Sequence, residues 1–197
     1  MARRFGLATL ILLITAAAAE AHTGIGSTMG FAHGFGHPFS GLDHILAMVA
    51  VGLFAANLGG RTLWLVPLSF VSMMAVGGAL GITGVDLPFV EIGIAASVIV
   101  LGLAVAMQWN LPVAGAMALV GFFALFHGHA HGAEMPADAS GLAYGVGFVL
   151  ATAILHVIGI GLGLGIGLLA KATSKRALQA GGAVMSIAGA AMLTGFL

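Results

Sequence analysis

Apolar residues run through this chain in blocks too long for a strand and too uniform for a one-sided soluble helix. After a first run from Phe5 to Ala19, six blocks cover residues 39–58, 62–83, 88–108, 112–128, 141–170 and 176–196. A helix needs about 20 apolar residues to cross a bilayer, so each block predicts one transmembrane span. Pro38, Pro88 and Pro112 stand at the starts of the first, third and fourth blocks, where a missing N–H costs a helix little. Pro67 falls in the early turns of the second. The fifth block is long enough to tilt, and the polar stretch from Lys171 to Arg176 reads as the hinge into the sixth. Glycines at 159, 161, 163, 165 and 167 form overlapping G-x-x-x-G patterns, and Gly77 and Gly81 form another. Such spacing lets membrane helices approach backbone to backbone. The two three-span halves show no sequence repeat.

The first apolar run belongs to a different element. Arg3 and Arg4 precede it and Ala19-Glu20-Ala21 follows it. That is the charged, apolar and A-x-A order of a cleaved secretory signal. Residues 1–21 are therefore expected to be a signal peptide, and residues 22–197 one six-helix domain. Left uncleaved, the segment would be a first membrane helix, and residue 22 would still lie outside. Charge tests this orientation. With residue 22 outside, the links near 59–61 and 171–176 face the cytoplasm. They hold Arg61, Lys171, Lys175 and Arg176, all the basic residues beyond the signal. Asp43, Asp86, Glu91, Glu134 and Asp138 fall at the opposite face, as the positive-inside rule requires.

Composition agrees and narrows the function. The chain is 60% hydrophobic and 6% charged, with a mean hydropathy of +1.16, against about 25% charged residues in a soluble domain. The expected fold is all-α, a polytopic transmembrane helix bundle. Net charge is zero, which gives no reason to expect a nucleic-acid partner. No cysteine is present, which removes disulfides, thiolate metal sites and thiol catalysis. No phosphate-binding G-x-x-x-x-G-K-[ST] loop occurs.

Against this apolar background the histidines are conspicuous. Six of the eight lie in two segments, His33 to His44 and His127 to His131. Under the expected topology both sit at the outer face, the first entering span one and the second filling the outer loop after span four. Neutral imidazole with carboxylate suits nickel, cobalt, zinc, iron or copper(II). Asp43 and His44 fall about 8 Å past Pro38 by helical rise, where an ionised aspartate must be paired or face a wet cavity. Ser40-x-x-Asp43 also reads as a helix-capping pattern. Glu91 lies near the start of span three, where it either complements the helix dipole or binds a cation. Among the second cluster His127, His131 and Glu134 are favoured over His129. His156 falls about 22 Å along span five, near mid-membrane. Ionisable residues at that depth are functional candidates, although Thr152, one turn away, could instead orient a structural histidine there.

Residues 37–44, His-Pro-Phe-Ser-Gly-Leu-Asp-His, resemble the H-P-x-x-G-x-D-H signature of the HupE/UreJ family of small metal permeases. Residues 126–134, Phe-His-Gly-His-Ala-His-Gly-Ala-Glu, are similar to its second motif, F-H-G-x-A-H-G-x-E, with His129 at the variable position. Gly147-Phe148 through Ala151-Thr152 to Leu155-His156 fits a third. The resemblance spans essentially the whole chain beyond the signal. It implies a multi-pass protein of the bacterial cytoplasmic membrane, with the histidine clusters on the periplasmic face. It implies secondary uptake of nickel, or cobalt, with the ion as substrate and no permanently bound cofactor. It carries over His37, Asp43, His44, Glu91, His127, His131, Glu134 and His156 as metal-handling positions. The residues alone reach only a first-row divalent cation, with a bilayer and that cation as partners. They leave two rivals open, a membrane-embedded zinc hydrolase and a metal-binding membrane protein that does not transport. An enzyme is the less expected of these readings, and nothing in the sequence sets the oligomeric state.

Overall fold

A computed structural model describes residues 26–135 and 140–197. The expected signal peptide, His22 and Asp138 lie outside the described residues. Within them all regular structure is helical: α1 (Gly26–Gly36), a 3-10 turn (His37–Phe39), α2 (Leu42–Leu58), α3 (Thr62–Ile82), α4 (Val90–Ala106), α5 (Val113–Ala133), α6 (Gly141–Gly167) and α7 (Lys171–Leu193). Three helices, α3, α5 and α6, are long and apolar enough to cross a bilayer. A fourth span is possible if residues 30–39 and α2 count as one, broken by a bend of 76°. The apolar helix α4 is shorter, at 17 residues.

The distribution of polarity is inverted relative to a soluble domain. Trp64, Leu68, Phe122, Leu142, Val157 and Ile187 are all exposed. The buried polar side chains are His44, Thr62, Ser97, His127, His129, His131, Thr152 and His156. An apolar outside around an imidazole-rich inside is what a bilayer-embedded protein needs, since water-soluble surfaces rarely expose so continuous an apolar area.

The tightest helix pairs are α3 with α5, α4 with α7 and α2 with α6, and α1 lies along α6. Glycine makes the first and third pairs possible. A Cβ on Gly128 would meet the Met74 carbonyl, one on Gly132 the Gly78 carbonyl, and one on Gly77 the Leu125 carbonyl. On the other pair, a Cβ on Gly52 would meet the His156 carbonyl and one on Gly159 the Val49 carbonyl. Lipid tails give no hydrophobic drive between such helices, so close van der Waals contact has to supply it. The glycine run of α6 divides accordingly. Gly159 and Gly163 pack against α2, while Gly161, Gly165 and Gly167 face open space. Between the pairs, Met48, Val51, Phe54, Phe70 and Leu101 close a dense apolar core.

Four boundaries differ from the sequence expectation, each for a local reason. The first predicted span begins later, because Gly41 adopts an extended conformation after the 3-10 turn and restarts the helix at Leu42. A helix, α1, precedes it that hydropathy did not mark. Its aromatics Phe31 and Phe35 stack at 6.0 Å, and Phe35 meets Phe39 at 5.6 Å. The predicted outer loop after span four is instead the last turns of α5, held helical by Gly128 and Gly132 against α3. The predicted hinge at Lys171–Arg176 is the first part of α7, and the chain reverses within residues 168–170.

Candidate functional site

The bend between α1 and α2 and the long end of α5 bring the two histidine segments together. His37, from the 3-10 turn, meets the His131 ring edge-on at 4.6 Å. His131 meets His44 at 4.2 Å, and His44 meets His127 at 4.8 Å with planes nearly perpendicular. His127 and His131 lie one turn apart on α5, so both face the same neighbours. Four imidazoles thus form one unbroken row. Its outer member, the His37 side chain, is one-third exposed, and the other three rings are buried.

At the open end the Nε2–H of His37 donates to Glu134 Oε2 at 2.9 Å. Donor atoms of His37, His131 and Glu134 all lie within 4.8 Å of one another, close enough to share one cation. A cavity of about 350 Å³ opens onto His33, His37, Ser40, Glu134 and Tyr144. In the buried half, the Nδ1–H of His44 donates to Asp43 Oδ1 at 2.9 Å. Asp43 therefore orients an imidazole. The capping alternative fails, because no side chain caps α2 and the Ser40 hydroxyl donates to the His37 carbonyl at 2.6 Å.

Beyond His127 the row is interrupted. The Phe70 ring lies 5.8 Å from His127 and 5.1 Å from His156, perpendicular to the latter. His156 is deeply buried on α6, and neither ring nitrogen has a hydrogen-bond partner. Thr152 does not orient it, since the Thr152 hydroxyl donates to Met74 Sδ at 3.6 Å. Unpartnered buried nitrogens also occur on His44 (Nε2), His127 (Nδ1), His131 (both) and, outside the row, His129 (Nδ1). Leaving a buried polar group unmatched costs about 1–3 kcal/mol, so their concentration in one row calls for a functional reason.

Two residues stand apart from the row, the predicted Glu91 and the disfavoured His129. Glu91, in the first turn of α4, shares a separate cavity of about 410 Å³ with Asp43, Met192 and Leu197. His129, buried on the same helix as His127 and His131, turns its Nε2–H to the Val85 carbonyl at 2.8 Å. It ties α5 to the α3–α4 link. Two residues that hydropathy and motif reading passed over matter to the geometry. Phe70 is one of two aromatics, with Trp64, in an apolar span and carried no signal. Ser97 contacts His127 Nε2 at 2.8 Å, and a lone serine within an apolar block was the sole hint of it.

The family model described as HupE / UreJ protein matches residues 10–192. The chain is 52% identical over 187 residues to Protein HupE of Rhizobium leguminosarum bv. viciae, covering 95% of this chain and 96% of that protein. No solved structure matches it. With a family match over nearly its whole length and a relative this similar along both chains, the protein belongs to the HupE/UreJ family.

Proposed function

We propose that the protein is a secondary transporter that imports a divalent transition-metal cation, nickel first and cobalt second, across the bacterial cytoplasmic membrane. Family membership supports a metal-permease role. The observation that carries the reading is the continuous row of imidazoles that leads from the exposed His37–Glu134 pair to the buried His127. A catalytic pocket needs one convergent site, whereas a row that starts at an exposed pair and continues through buried rings describes a route.

In this reading six helices, α2 to α7, span the membrane, with α1 folded over the outer end of α6. The cation is caught by His37, His131 and Glu134, where it takes the place of the hydrogen in the His37–Glu134 bond as His37 changes to its Nδ1–H tautomer. Imidazole and carboxylate then take the place of its water shell. Asp43 and His44 with His127 receive it next. Glu91 adds negative charge on the neighbouring cavity, and His156 beyond Phe70 is the inward station. A divalent ion gains ~4.6 kcal/mol per 100 mV of inside-negative potential, at ~2.3 kcal/mol per charge. That drive suffices for uptake without nucleotide hydrolysis.

The test is uptake of radioactive Ni²⁺ by cells producing Asp43→Ala or His44→Ala. Both variants are expected in the membrane by immunoblot and inactive in uptake. Wild-type rates in either variant would sink the proposal. The two-histidine, one-carboxylate set at the mouth also matches the ligand type of a catalytic zinc site, which keeps a hydrolase as the second reading. Stoichiometric, tightly held Zn²⁺ together with no flux into proteoliposomes would favour that enzyme.

A further inference from the structure

We propose that Ser97 is a positioning residue of the cation path: it locks His127 in the Nε2–H tautomer and so makes Nδ1 the nitrogen offered to metal. The inference rests on the transport reading above and adds a residue from α4, a helix that otherwise gives nothing to the imidazole row.

The argument is one of counting hydrogens. Ser97 is fully buried, and its Oγ lies 2.6 Å from the Ile94 carbonyl oxygen and 2.8 Å from His127 Nε2. Two oxygens at 2.6 Å repel unless a hydrogen lies between them. A serine hydroxyl has one hydrogen, and the carbonyl takes it. Oγ therefore meets His127 as an acceptor, and Nε2 must carry the hydrogen of that bond. A neutral imidazole has a single N–H, so Nδ1 is left with a bare lone pair. It is buried without a hydrogen-bond partner. Metal-binding histidines typically donate their other N–H to an acceptor that fixes the tautomer and ring plane. Ser97 occupies that role for His127.

The neighbouring ring supplies an independent parallel. Asp43 accepts the Nδ1–H of His44, and His44 Nε2 is the buried nitrogen without a partner. Two rings 4.8 Å apart thus have opposite nitrogens committed to fixed acceptors, and one free nitrogen each. Removing the Ser97 hydroxyl frees His127 to exchange tautomers and turn, which lowers the share of molecules with Nδ1 available.

The experiment has two arms. Nitrogen-15 NMR of histidine-labelled, metal-free wild-type protein in detergent reads the tautomer, with the His127 signals assigned by their loss in His127→Asn. Nε2–H is expected, and Nδ1–H overturns the proposal whether or not a Ser97 variant folds. In proteoliposomes, Ser97→Ala is expected to raise the half-saturating Ni²⁺ concentration about 10–100-fold, the usual cost of removing such a partner. Ser97→Thr, which keeps the hydroxyl, is expected to restore both the tautomer and the affinity. Unchanged half-saturation in Ser97→Ala, with the wild type importing, overturns the positioning role. Wild-type liposomes that import no Ni²⁺ overturn the transport reading and the positioning role with it, whatever the tautomer.

Discussion

His127, His129 and His131 occupy alternate positions of one short segment, yet the helix assigns them different work. At about 100° per residue, positions four apart share a face and the one between them does not. His127 and His131 join the imidazole row, while His129 bonds the Val85 carbonyl. His127→Ala and His131→Ala are therefore expected to abolish Ni²⁺ uptake. His129→Ala is expected to keep uptake and to lose about 1 kcal/mol of stability, the net worth of one hydrogen bond. Parallel uptake and thermal-melting measurements on the three variants check this. A cation on imidazole also competes with protons. Ni²⁺ affinity is expected to fall as the pH is lowered, since a protonated imidazole has no lone pair for metal, and isothermal titration across a pH series reads it. That His127 and His131 are candidates ahead of His129 was legible in the motif. The physical reason, helical phase, became visible once α5 was known to continue to Ala133. Ser97 and Phe70 were not legible, because their meaning comes wholly from what lies across the helix interface.

At the scale of elements, backbone contact between α3 and α5 positions half of the row. Gly128 separates His127 from His129 in sequence and sits directly against the Met74 carbonyl. Gly128→Ala adds one methyl but forces the two helices apart, at about 1–3 kcal/mol by the usual cost of overpacking. It is expected to lower thermal stability and to impair uptake, although it removes no ligand. Gly161→Ala, on a face of α6 that meets nothing, is expected to change neither. Thermal melts in detergent with parallel flux assays separate the two. The G-x-x-x-G spacing announced close packing but not which glycines carry it, since one α6 run contains both packed and open positions. Helix α1 escaped the hydropathy pattern because its glycines, Ser27, Thr28 and His33 dilute it. The four-residue spacing of Phe31, Phe35 and Phe39 was the available signal.

For the whole molecule, the three tight pairs meet along weaker seams, and the imidazole row follows the seam between α2 with α6 and α3 with α5. An electrically driven import is expected to slow several-fold when the inside-negative potential of proteoliposomes is collapsed with a potassium ionophore, at fixed metal gradient. Uptake that is indifferent to potential would require proton exchange instead. The sequence by itself determined the all-helical, apolar character of the chain and the choice of nitrogen and oxygen chemistry, because both follow from composition and run length alone. It also singled out the candidate residues for that chemistry, since ionisable groups are too costly in such a chain to be scattered without use. Only the tertiary structure decided that two segments some ninety residues apart form one row, that His156 is cut off from it by Phe70, and which nitrogen of His44 and of His127 is left free. Those facts depend on the bend at Gly41, on glycine-to-carbonyl contacts between helices and on hydrogen bonds from α4, which no local pattern along the chain encodes.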